Sequence, residues 1–182
     1  MKNIVYLDTS FTDTLRPKLL SLGMVTFDGH EHYVELDLGD PASAATVSQA
    51  SDFARHCGVL QQWGRVPDSS ANYAEMGRRT AHWLKVHAAR LGQPAHVAFD
   101  NPLDFELLGH LLRAVGEWES VLKVIWPLDV EERFARFDGA LVADAVCEQL
   151  RKRGLEPHHA LVDAHALRAS WVAVNTGKRV RL

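Results

Sequence analysis

Leu19-Leu20-Ser21-Leu22-Gly23-Met24-Val25-Thr26-Phe27-Asp28-Gly29-His30-Glu31-His32-Tyr33-Val34-Glu35-Leu36 is the stretch on which the reading of the fold turns. Its first half is a β-rich apolar run, Asp28-Gly29 favours a tight turn with positive φ, and Tyr33 to Leu36 alternates as a strand does. Upstream, Ile4-Val5-Tyr6-Leu7-Asp8 is another short apolar run that ends in an acid. The N-terminal third therefore predicts a three-stranded antiparallel meander.

Working outward, residues 41–61 become helical, with Val47, Ala50, Phe53, Ala54 and Cys57 on one face and Gly58 as the stop. Trp63-Gly64-Arg65-Val66-Pro67-Asp68-Ser69-Ser70 is rich in breakers and reads as a loop near a functional face. Residues 73–91 form a second helix with Met76, Thr80, Trp83, Leu84 and His87 on a stripe, Ser70 as N-cap and Gly92 as stop. A short buried strand over 95–99, a helix over 104–115 and a fully buried strand over 121–126 follow. Helices over 144–153 and from 160 to about 171 complete the order, and Lys178-Arg179-Val180-Arg181-Leu182 is a short basic tail that can meet phosphates. A meander followed by alternating helices and strands is an α/β arrangement with a mixed central sheet, in one domain over 1–182.

The 182 residues are 47% hydrophobic and 24% charged, which suits one globular domain with a real core and excludes disorder or fibre. A formal charge of −3 supplies no broad basic field of the kind that holds duplex non-specifically. Two cysteines with no Cys-x-x-Cys pair give neither a thiolate zinc site nor a disulfide framework, which fits a reducing cytoplasm. No segment has a secretory core or the ~20 apolar residues of a membrane span.

Three segments carry chemistry. Asp8 ends the first strand, where a carboxylate emerges beside the sheet; alone, such an acid is more often a solvated terminus. In Ala98-Phe99-Asp100-Asn101-Pro102-Leu103-Asp104, two acids lie four apart where a strand gives way to a helix, the place where α/β sheets put ligands. The plainer account makes Asp100 or Asn101 an N-cap and Asp104 a favourable charge in the first turn. In His158-His159-Ala160-Leu161-Val162-Asp163-Ala164, a His and an Asp five apart straddle a loop-to-helix junction, suited to a proton acceptor and a ligand for a hard cation.

Together these segments resemble the three motifs of the DEDDh-type 3′-to-5′ exonuclease superfamily, and the resemblance spans nearly the whole chain. His158-x-Ala160-Leu161-x-Asp163-Ala164 reproduces the third motif without a gap. Tyr6-Leu7-Asp8-Thr9-Ser10-Phe11-Thr12 matches the frame of the first, an Asp-x-Glu strand, but Ser10 stands where the Glu belongs. The second motif has an Asn four residues before its Asp, which puts Asp104 at the ligand position and Asp100 at the Asn position; Asp100 as the ligand is the other register.

The resemblance implies a ribonuclease H-like fold and a metal-dependent 3′-to-5′ exonuclease acting on single-stranded RNA or short oligonucleotides, with RNA weakly favoured. It implies two divalent metal ions, magnesium or manganese, held by Asp8, Asp104 and Asp163, with His158 as general base. Ser10 removes one full negative charge from such a site. A deficit of ~3 to 4 kcal/mol in transition-state stabilisation slows a reaction by two to three orders of magnitude. Asp13 and Asp100 are the substitutes nearest in sequence, and Phe11 and Trp63 the candidates to stack on bases. The alternative expectation is a catalytically inactive exonuclease-fold protein that binds nucleic acid or a protein partner. The resemblance also implies a homodimer and no membrane association.

Overall fold

A computed structural model describes residues 3–56, 59–130 and 137–176, and the side chains of all of these except 137–141. Gly58, Cys57 and the basic tail at 178–182 lie outside the described residues. The molecule is built on a six-stranded mixed sheet: β1 (Ile4–Phe11), β2 (Leu19–Thr26), β3 (Glu31–Leu36), β4 (Ser70–Ala71), β5 (Ala95–Phe99) and β6 (Ile125–Asp129). Their order across the sheet is β4-β3-β2-β1-β5-β6. β1, β2 and β3 pair antiparallel, whereas β5 runs parallel to both β1 and β6. This is the ribonuclease H-like arrangement that the meander and the alternation after it predict.

The hairpin turn falls at Asp28-Gly29, where Gly29 has φ 93° and its N–H donates to Thr26 O. The helices are α1 (Pro41–Val47), α2 (Asp52–His56), α3 (Tyr73–Leu91), α4 (Pro102–Ala114), α5 (Trp118–Val121), α6 (Phe137–Arg151) and α7 (Ala160–Thr176). α3 keeps its predicted bounds, but its N-cap is Asn72, whose side chain accepts from Glu75 N, and it closes on Gly92 at φ 65°. Ser70 instead pairs with Glu35 as part of β4.

Two expectations change. The helix over 41–61 breaks into α1, α2 and a 3-10 turn at Leu60–Gln62, because Ser51 N–H donates to Thr12 O rather than continuing a helical ladder. The strand over 121–126 begins only at Ile125, because Val121 ends a helical turn and Val124 N–H bonds back to Val121 O. β6 is also not fully buried: it is the sheet edge, and Trp126 is 53% exposed.

Strand alternation sorts the core into two layers. Val5 and Leu7 of β1 join Leu22, Met24, Met76, Leu84, Leu108 and Leu111 beneath α3 and α4. Ile4 and Tyr6 point the other way, against Leu167, Trp171 and Val172 of α7. Every residue of the central strand β2 is buried, as expected of a strand covered on both faces.

Candidate functional site

The period of two that buries Val5 and Leu7 on one side of β1 decides where the next three residues go. Thr9 falls on the α4 side, and both its N–H and its hydroxyl donate to Asp104 Oδ1, at 3.1 and 2.6 Å. Ser10 shares the face of Asp8, on the α7 side, where its hydroxyl lies 3.5 Å from the carbonyl oxygen of His158. Asp8 therefore does not end the strand as expected: β1 continues to Phe11, and Asp8 pairs with Gly23 in its middle.

β5 brings the second acid by register. Tyr6 pairs with Ala98 in the parallel β1–β5 ladder, and Asp8 and Asp100 each stand two residues further on. Asn101 then caps α4 by accepting from Leu103 N, Pro102 opens it, and Asp104 arrives one turn later, 2% exposed. Ligand oxygens of Asp8, Asp100 and Asp104 all lie within 4.8 Å of one another. Asp104 Oδ2 is buried with no hydrogen-bond partner among the described residues.

α7 supplies the other lip. It can start so close to the sheet because β2 carries Gly23 opposite Asp8: a Cβ there would lie 2.4 Å from the backbone carbonyl atoms of Ala160. His159, 2% exposed, stacks on Tyr33 at 4.4 Å, and its Nδ1 accepts from Leu161 N at 3.2 Å, so it caps the helix. Burial lowers its pKa to about 4, which keeps it a neutral acceptor. The preceding residue, His158, has φ 67°, in the region non-glycine residues rarely occupy, and this turns its exposed imidazole toward the edge of the Phe53 ring at 5.3 Å.

The acids are held against their charge. Burial, and then the carboxylates of Asp163, Asp104 and Asp100, push Asp8 well above the usual range. Burial raises Asp104 to about 7, against the two hydrogen bonds from Thr9. Burial also raises Asp163 to about 6, while His158 pulls it down. Clustered oxygen ligands that repel one another, one of them an orphaned buried oxygen, are a donor set fitted to a hard divalent cation.

A cleft of about 590 Å³ joins these groups, and its lining includes Asp8, Ser10, Phe11, Asp100, Asp104, His158 and Asp163. Asp13 lines it too, but its Oδ1 accepts from Leu15 N and Arg16 N, both at 2.7 Å, which commits it to its own loop. Trp63 does not reach the cleft: its indole N–H donates to Leu36 O at 2.9 Å and its ring packs on the core. Phe105 likewise packs on the core, stacked on Phe99.

Three side chains escape sequence reasoning. Phe53, 58% exposed on the short α2, stands in the cleft wall although its spacing suggests a buried face. Glu35 is fully buried, accepts from Gly64 N, Ser69 Oγ and Tyr33 Oη, and so pins the loop after the 3-10 turn. Within that turn, buried Gln62 donates to Pro157 O and accepts from Glu156 N, which braces the segment leading to His158. Gly64 was the available signal, since its φ of 75° marks a formed turn rather than a slack loop.

Fold and site together define an α/β domain with a carboxylate-lined cleft at the ends of parallel strands, faced by one histidine. No model of a known protein family and no curated protein matches this chain.

Proposed function

We propose that this protein is a metal-dependent phosphodiester hydrolase of the DEDDh exonuclease type, removing nucleotides from the 3′ end of single-stranded RNA or short oligonucleotides. The observation that carries the reading is the convergence of Asp8, Asp100, Asp104, Asp163 and His158, drawn from three separate chain segments, on one cleft.

Asp8, Asp104 and Asp163 would hold two divalent ions, magnesium or manganese. When bound, these ions supply Lewis acidity and positive charge against a phosphodiester. His158 takes a proton from the attacking water on its imidazole, as an exposed residue at the cleft mouth is placed to do. The water oxygen bonds to phosphorus, the bond from phosphorus to the 3′ oxygen of the preceding nucleotide breaks, and that oxygen takes up a proton from solvent to leave as a 3′ hydroxyl. Phe11 and Phe53 offer aromatic faces to the terminal bases.

A cytoplasmic setting belongs to the same proposal: Cys147 is a free thiol, and no helix among the described residues is long and apolar enough to cross a membrane.

One observation favours a second reading, a silent site that binds nucleic acid or a protein partner. Position 10 carries no carboxylate, and its hydroxyl is turned to a backbone carbonyl. Digestion of a 3′-accessible single-stranded RNA with manganese separates the two. Ladder-like shortening from the 3′ end, abolished by EDTA and by a blocked 3′ terminus, is the expected result. A silent parent beside an active Ser10→Glu variant supports the second reading, and silence in both defeats the proposed activity.

A further inference from the structure

We infer that Asp100 takes the place of the carboxylate absent at position 10, so that a divalent cation is held by Asp8, Asp100 and Asp104. The inference rests on the metal-dependent reading above but concerns which residues of this chain do the holding.

Three observations carry it. The β1–β5 register sets Asp8 and Asp100 at matching positions, and their oxygens and those of Asp104 lie within 4.8 Å of one another. Asp104 is 2% exposed and its Oδ2 is buried with no hydrogen-bond partner among the described residues, while Oδ1 is fixed by two donors from Thr9. A buried carboxylate oxygen left bare costs free energy unless a cation or donor meets it. Finally, position 10 itself supplies no carboxylate. Ser10 is 6% exposed and its hydroxyl faces the carbonyl oxygen of His158.

The chemistry selects the ion. Three carboxylates with no nitrogen or sulfur donor suit magnesium or manganese and not zinc or copper. Asp13, the other acid near the gap in sequence, has its Oδ1 engaged by Leu15 and Arg16 N–H.

The test is binding of Mn2+ alone, read from the loss of the free-ion paramagnetic resonance signal on titration into the metal-free full-length protein. The parent should bind; Asp100→Asn should weaken affinity at least tenfold; Asp100→Glu should recover part of it; Asp13→Asn should stay within twofold. Each variant is also melted in EDTA, where Asp100→Asn should unfold at or above the parent temperature because one repelling charge is gone. No binding by the parent, unchanged affinity in Asp100→Asn, no recovery in Asp100→Glu, or an equal loss in Asp13→Asn overturns the inference. Manganese binding through Asp100 without RNA cleavage leaves it standing and removes the nuclease reading. Cleavage that survives Asp100→Asn together with unchanged binding does the reverse.

Discussion

Asp8 and Asp100 stand at equivalent positions on adjacent parallel strands, each two residues beyond the paired Tyr6 and Ala98, Asp8 within β1 and Asp100 just past the end of β5. Neighbouring strands lie about 4.8 Å apart, so two acids at matched positions must share a charge environment. That register is what turns scattered acids into a cluster.

The first prediction concerns the cluster without metal. Asp104 and Asp163 have pKa values raised to about 7 and about 6, above the unfolded carboxylate value of about 3.9. The folded state therefore binds more protons than the unfolded state between about pH 4 and 7. Stability in EDTA falls as pH rises through that window, and Mn2+ reverses the loss. Thermal melts of the parent and Asp104→Asn from pH 5 to 8 check this, with a flatter profile expected for the variant.

Gly23→Ala puts a methyl group 2.4 Å from the Ala160 carbonyl atoms, against an optimum of about 3.5–4.0 Å. Both strand and helix are backbone there, so neither can yield by changing rotamer. Urea denaturation should show a loss of roughly 1–3 kcal/mol or more. Displacement of α7 should weaken any activity by moving Asp163 and His158 from Asp8.

His158→Ala removes the proposed base while leaving the acids in place. Cleavage should fall by about 10²–10⁴ with manganese affinity unchanged. An equal fall in affinity would assign His158 to the metal instead.

Phe53 and Trp63 should part company. Phe53→Ala, at an exposed position, should leave stability within about 0.5 kcal/mol and weaken single-stranded RNA binding by about 1–3 kcal/mol. Trp63→Ala breaks the bond to Leu36 O and opens the core, so it should unfold about 3–5 kcal/mol more easily. Fluorescence anisotropy on labelled RNA and chemical denaturation read the two effects separately.

Glu31 ties three elements: His165 Nε2 lies 2.8 Å from its Oε1, and Arg153 donates to both its oxygens at 2.9 and 3.2 Å. The His165 hydrogen bond, then that of Arg153, lowers its pKa to about 2. A depressed folded pKa gives stability that is present above the unfolded value near 4.3 and lost as pH falls through about 2. Glu31→Gln should weaken that acid dependence and destabilise the neutral protein by roughly 1–2 kcal/mol.

Much of the fold was legible because the determining signals are local. The Asp28-Gly29 turn, the Gly92 stop, the apolar run of β1 and the strand pattern of Tyr33 to Leu36 each act within a few residues. The apolar run at 121–126 misled because one hydrophobic stretch spans a helical turn and a strand, which periodicity alone does not separate. At the site, the sequence placed Asp8, Asp104, Asp163 and His158, all of which line one cleft. It left Asp100 as an alternative register to Asp104 because only strand pairing shows that both approach Asp8. It named Trp63 and passed over Phe53 because residue type does not tell which aromatic the packing of α2 and the loop after it leaves exposed.

The close seat of Ala160 on Gly23 also orders events during synthesis. The pairing of Asp8, Asp100 and Asp104 needs only the first five strands and α4, all made before residue 115. The lip with His158 and Asp163 emerges later and must then dock on a strand finished about 130 residues earlier, a contact of long sequence separation and hence slow closure. A growing chain can therefore assemble the acidic half-site before the segment that bears the histidine has been made. Hydrolysis by the proposed route therefore waits until α7 has docked on β2.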